Sequence, residues 1–370
     1  MAGGGMPTYY EGLSKHLVRR DEVDAVIAFV PPSTDALKLP DSPKVEPVVC
    51  HSLRGGRPGR VAYEQLGLPA LARRHRVDVL LSTVNVKPIA WRGPSVVVLQ
   101  SMQSFFLPDR VGALRRAYLR AFVPRSLRGA DRVIAVSEAA RRDACELFDL
   151  DPGRVVAVHH GCSPWALEAA ERFAREGVPP PPPPMGAGRP YALIVSSLYG
   201  LKNHGRLIEA FGDASRKAAF PHDLVVAGRE ADVRISELAD VARKAGVAER
   251  VHLLGAYPQE HLAALVANAA AIAYPSLYET FGHPVLEAFA LGRPLLTSNL
   301  GGASEIAADA AVKVDPYSVG SISSGLIEVL TDEPRRRSLV AAGTARLLDF
   351  SWQNCAAGTS RVLREACEAR

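Results

Sequence analysis

Three side chains in this sequence could together hold a polar, anionic ligand. Glu279 and Glu287 stand eight positions apart around a His283-Pro284 pair, and Lys202 lies upstream, after a candidate strand. A carboxylate accepts two hydrogen bonds from vicinal hydroxyls. A lysine supplies a mobile point charge for phosphate. Pro284 suits the first position of a helix, since its missing N–H and fixed φ cost nothing there. Gly292 suits the left-handed position that ends it. His283 precedes a proline and is pushed toward extended geometry, with its ring in solvent. Glu279 is therefore expected in a loop and Glu287 in the first helical turn, both near an electropositive helix end that favours an anionic ligand.

Two more segments fit that picture. Ser196–His204 joins a strand to a helix beginning near Gly205, and such a turn offers free amides to phosphate, with Ser197, Lys202 and Asn203 at hand. Asn299–Glu305 follows another strand, and Gly301 and Gly302 let the backbone approach a ligand. Each feature has an ordinary explanation when taken singly. Lys202 is then a solvated loop lysine, the two glutamates are helix-start charges worth about 0.3–1 kcal/mol each, and the two glycines make a plain turn.

Metal chemistry has little support. Asp149-Leu150-Asp151 precedes Pro152-Gly153 and reads as a turn, and His159-His160 reads as a strand end. The five cysteines lack metal-ligand spacing and fit free thiols in a reducing cytosol. No metal and no resident cofactor are expected. With 48% apolar and 22% charged residues the chain is of ordinary globular composition, and no apolar run reaches the roughly 18 residues of a membrane span. The first residues lack the pattern of a secretory signal. A net charge of +5 suits anionic nucleotides and lipid surfaces, but no nucleic-acid module accompanies it. From Arg110 to Arg132, Arg115, Arg116, Arg120, Arg125 and Arg128 alternate with Val111, Leu114, Tyr118, Leu119 and Phe122. That run is either a solvated helix face or a peripheral contact with an anionic membrane.

The elements that position these residues come in two series. Candidate strands are 23–30, 45–50, 77–82, 96–99, 133–136 and 155–158, then 192–196, 224–227, 251–254, 271–274, 294–297 and 311–314. Strands alternating with helical patterns imply parallel sheets, so the expected fold is α/β with two Rossmann-like domains facing a cleft. Six prolines, Pro179 to Pro184, mark a linker. The domains are placed at 1–165, 191–350 and, for a returning C-terminal helix, 351–370, with 166–190 as a Pro-rich linker. Gly3-Gly4-Gly5 resembles the glycine turn after the first strand of a doubly wound domain, with a helix at about Tyr10–Val18. The strand before it is absent. The expectation is a chain start placed too far downstream, and a longer chain of higher stability.

The string Pro275-Ser276-Leu277-Tyr278-Glu279-Thr280-Phe281-Gly282-His283-Pro284-Val285-Leu286-Glu287-Ala288 resembles the Glu-x7-Glu signature of retaining family 4 glycosyltransferases of the GT-B fold. The likeness runs from about Tyr191 to Trp352, and more weakly from Gly3 to Gly161. It implies hexose transfer from a nucleotide-diphosphate sugar to a glycan or lipid-linked acceptor, as in polysaccharide or glycolipid biosynthesis, without a metal. The enzyme would work in the cytoplasm or on the inner face of the membrane. By resemblance Lys202 and Glu279 are catalytic. Lys202 contacts the donor diphosphate, and Glu279 contacts the sugar hydroxyls with help from the backbone of Phe281, Gly282 and His283. Glu287 binds the ribose, and Gly301 and Gly302 line the donor pocket. Gly4, Gly5 and Gln100 serve the acceptor in the N-terminal domain, where Tyr9 matches a tyrosine of the family turn. The sequence departs from the family twice. Ser197 stands where an arginine is common, and Gln100 where a histidine is; glutamine cannot act as a general base. The alternatives are a non-catalytic GT-B protein that binds nucleotide sugar or acts as a scaffold, and a nucleotide-sugar epimerase.

Overall fold

The computed structural model describes residues 5–30, 39–50, 59, 61–106, 112–182 and 188–370. Gly4 and Arg110 lie outside them. All twelve expected strands are present, within three residues at either end. They are β1 (Val26–Val30), β2 (Val45–Val49), β3 (Leu80–Ser82), β4 (Ser95–Leu99), β5 (Arg132–Ala135), β6 (Val155–Ala157), β7 (Tyr191–Val195), β8 (Asp223–Ala227), β9 (Val251–Gly255), β10 (Ala271–Tyr274), β11 (Leu295–Ser298) and β12 (Val312–Val314). The chain forms two compact units. One spans Cys162–Asp349; the other joins residues up to Gly161 with Phe350–Arg370. The segment 166–190 is not linker throughout, because the helix Pro164–Glu176 occupies its first part. Pro164 opens that helix, and Ala166, Ala169 and Phe173 form its buried stripe.

In the N-terminal unit all pairings are parallel. Among the described residues, β1 pairs with β2 while β3, β4, β5 and β6 form a second sheet. The first helix runs Gly5–Leu17, so it begins earlier than the glycine turn suggested and takes Gly5 into its first turn. Tyr9 is packed in the core, its ring centroid 4.7 Å from that of His160 and 6.1 Å from that of Trp352. Trp352 opens the helix Trp352–Glu368, which is capped by Ser351 and packs on Gly5–Leu17, β4 and β5. The returning C-terminal helix is therefore part of the N-terminal unit.

The C-terminal unit carries one six-stranded parallel sheet in the order β12-β11-β10-β7-β8-β9. Chain direction across the sheet reverses between β7 and β10. In open parallel sheets that switch point leaves a crevice at the carboxyl ends of the strands, where ligands bind. Fully buried Leu193, Ile194, Leu224, Val225, Leu295 and Leu296 make the sheet a two-sided core layer.

Candidate functional site

Lys202 ends a short turn after β7, and Glu279 lies in the loop after β10, so the switch point brings them together from 77 positions apart. Lys202 Nζ donates to Glu279 Oε1 at 2.5 Å and to Tyr274 Oη at 2.7 Å. Tyr274 donates to the same Oε1 at 2.6 Å. Burial, then the Glu279 charge, holds the Tyr274 phenol well above its ordinary pKa, so it keeps its proton and remains a donor. Sequence reasoning placed Tyr274 only as the last residue of a strand. The one available signal was a hydroxyl at a strand end, directly before the Pro275-Ser276 loop.

Two histidines flank the lysine. His204 opens the helix His204–Lys217 and is hydrogen-bonded to Ser196 Oγ at 3.0 Å. His283 opens the helix His283–Ala290, half-buried, with its ring 5.2 Å from that of Phe281. Burial, then the Lys202 charge, pushes both down to about 4. Both are neutral near pH 7 and leave Lys202 the positive charge at this point. The expected solvated ring for His283 is therefore corrected, as is its extended backbone. His283 and not Pro284 begins the helix, because Gly282 at φ 104° turns the chain into it, a conformation that favours glycine.

That shift moves Glu287 from the first turn to the second. Its carboxylate accepts from Ser163 Oγ at 2.7 Å and from Trp165, while burial raises its pKa. Its charge reaches the Tyr274 phenol, so Glu287 belongs to the same neighbourhood as Lys202 and Glu279. Ser163 and Trp165 were not singled out from sequence; they precede Glu287 by more than a hundred positions and carry no motif.

Several expected donor contacts have other duties. The side-chain amide of Asn203 donates to the carbonyls of Pro275 (3.0 Å) and Pro316 (2.7 Å), and its oxygen accepts from Arg206. Asn203 therefore ties the lysine turn to two neighbouring loops. The turn amides are not free either. Those of Leu198, Tyr199, Gly200, Lys202 and Asn203 all donate within the protein, to a carbonyl or to Asp232. The helix His204–Lys217 that follows starts with no side-chain cap on its first amides. Ser197 is half-buried in this turn, and its carbonyl accepts from Tyr199. Gly301 and Gly302 open the helix Gly301–Ala307, where the backbone of the loop carrying Glu279 comes close to both. A Cβ on Gly302 would collide with the Thr280 carbonyl, and its amide donates to Glu279 O at 2.8 Å. Phe281 is buried and apolar.

In the N-terminal unit Gln100 directly follows β4, and its backbone amide donates to Asn85 Oδ1 at 2.8 Å. Asp149 is a left-handed helix cap and Asp151 accepts from Gly153, so that motif is a turn. Among the described residues no group of three or more His, Cys, Asp or Glu side chains could hold a metal ion. No described helix is long and apolar enough to cross a membrane.

Comparison with known proteins agrees with this fold. The family profile "Glycosyl transferases group 1" matches residues 182–346, and "Glycosyltransferase Family 4" matches residues 3–165. The O-antigen chain mannosyltransferase B of Escherichia coli is 29% identical over 268 residues, 72% of this chain and 68% of that protein. Other curated glycosyltransferases are matched over 51% to 60% of their length. Among solved structures, sucrose-phosphate synthase from Thermosynechococcus elongatus superposes with a TM-score of 0.75 at 18% identity, covering 100% of this chain and 95% of that one. Anabaena HepE, solved with UDP and glucose, gives 0.71 at 19% identity, covering 98% and 96%. The two Rossmann-like units have the fold of a GT-B protein. The chain belongs to the group 1, family 4 type of glycosyltransferase.

Proposed function

We propose that this protein moves a hexose from a nucleotide-diphosphate sugar to a glycan or lipid-linked acceptor, with retention at the anomeric carbon and without a metal. The observation that carries this reading is the convergence of Lys202 and Glu279 at the switch point of the C-terminal sheet. A relative named as a mannosyltransferase and a fold neighbour solved with UDP and glucose support it. Lys202 and the uncapped helix start at His204 stabilise the leaving diphosphate, Glu279 orients the sugar and Glu287 takes the ribose. The bond from the anomeric carbon to the diphosphate oxygen breaks, with its electron pair on that oxygen. The acceptor hydroxyl bonds to the same face of the carbon, and its proton passes to the departing diphosphate. Five free cysteines are in keeping with a reducing cytoplasm.

Incubation with uridine, guanosine and adenosine diphosphate sugars should release nucleoside diphosphate for at least one of them. Lys202→Ala should lower that turnover roughly 100–1000-fold, by analogy with removal of one transition-state donor. An unchanged rate removes Lys202 from the mechanism, and binding of every sugar nucleotide without release favours a non-catalytic protein.

Peripheral membrane contact belongs to the same proposal. The helix Ala113–Arg128 exposes Arg115, Arg120 and Leu114, the last at 85%. Arg128 and Arg132 are held by Phe148 O and Glu365, which leaves the first half of the helix for lipid. Co-sedimentation with anionic vesicles, falling with salt and lost in Arg115→Glu/Arg120→Glu, is the expected result.

A further inference from the structure

Lys202 and Glu279 have opposing needs. Each must keep its geometry for the donor, yet the two are also bonded to one another. When the lysine turns to a diphosphate, the carboxylate loses a partner. Tyr274 is bonded to both. It ends β10, which pairs with β7 on one side and β11 on the other, and its carbonyl accepts from Thr297 Oγ1 at 3.1 Å. Its side chain is fully enclosed. The ring is therefore fixed by the sheet and cannot follow the lysine. Burial keeps the phenol protonated, so it can still donate after Lys202 has gone.

We propose that Tyr274 is a positioning residue for sugar transfer: from its fixed place in β10 its hydroxyl holds the Glu279 carboxylate while Lys202 exchanges that carboxylate for the donor's diphosphate. This rests on the donor-site reading above. The phenol oxygen accepts from Lys202 and its hydroxyl donates to Glu279. With donor bound, the second bond persists alone and keeps the carboxylate aimed at the sugar hydroxyls. Phenylalanine fills the same volume and cannot do this.

The test is a double-mutant cycle on nucleoside diphosphate release with the sugar-nucleotide panel. Tyr274→Phe should lower kcat about ten- to hundredfold, with the donor KM changed less than about twofold. In a Glu279→Gln background the same substitution should cost less than about twofold, because the tyrosine acts through that carboxylate. A phenol that only packs the core costs the same in both backgrounds, and that result overturns the inference, as does full activity of Tyr274→Phe. If Glu279→Gln itself leaves the rate unchanged, the donor-site reading fails and the inference goes with it. A structure of the wild-type protein with an unreactive sugar nucleotide gives an independent reading. Tyr274 Oη should stay within hydrogen-bonding distance of Glu279 while Lys202 Nζ moves to phosphate; a phenol parted from the carboxylate overturns the proposal.

Discussion

At the scale of single residues, burial holds His204, His283 and Tyr274 in their neutral forms beside the Lys202–Glu279 pair. His204 shows this most clearly, because it is 2% exposed and its pKa is pushed down to about 4 by burial first and by Lys202 second. The unfolded chain has a histidine near 6.5. Between pH 6.5 and 4 the unfolded state therefore binds more protons than the folded one, so stability is complete above 6.5 and is lost as pH falls toward 4. The loss from this residue is at most on the order of 3 kcal/mol. Urea unfolding at pH 7, 5.5 and 4 should show a steeper decline for the wild type than for His204→Gln, which cannot titrate. Parallel declines would mean that His204 is not held neutral in the folded protein. Residue identity was the most legible part of the site. Lys202, Glu279 and Glu287 could be picked out because carboxylates, lysine, proline and glycine fell in one recognisable order. Tyr274, Ser163 and Trp165 could not be, because their roles exist only where distant segments meet.

At the scale of elements, the alternation of β-branched runs and helical patterns was enough to place all twelve strands, since buried parallel strands are short, apolar and bounded by turns. Helix starts were harder to place. Gly282 and His283 begin a helix one residue before the proline expected to do so, and Gly5 joins a helix where a free turn was expected. In each case local propensity was outweighed by packing that sequence does not display. The helix Pro164–Glu176 was hidden by the proline run after it, although Ser163-Pro164 is a fair helix opening. The two glycines after β11 were recognised as a close approach, and one partner is protein backbone. Gly302 lets the helix Gly301–Ala307 press against the loop that carries Glu279. Gly302→Ala should push that loop away, costing about 1–3 kcal/mol of stability as an overpacked contact does. Because the displaced carbonyls belong to Glu279 and Thr280, sugar transfer should fall by more than nucleotide binding. Unchanged transfer with lowered stability would place the strain elsewhere.

At the scale of the whole molecule, the chain builds its units out of sequence order. It leaves the N-terminal unit after Gly161 and returns to it at Phe350, so the last helix completes the core begun by the first. Composition could mark a boundary near the prolines, but it could not show that Trp352 packs against Tyr9, His160 and Gly12. All four side chains of the proposed donor site, Lys202, Tyr274, Glu279 and Glu287, lie in the other unit. Two perturbations should therefore act on different halves of an unfolding curve. A nucleoside diphosphate at about 100 times its Kd adds roughly 2.7 kcal/mol to whatever it binds. For a unit of this size that raises a calorimetric midpoint by roughly 5–10 °C. Trp352→Ala removes a buried indole and should cost the N-terminal unit about 3–5 kcal/mol. Scanning calorimetry of the full chain should show the nucleotide raising one transition and Trp352→Ala lowering another. If the transition lowered by Trp352→Ala is the one that the nucleotide raises, the assignment of donor binding to the Cys162–Asp349 unit alone fails.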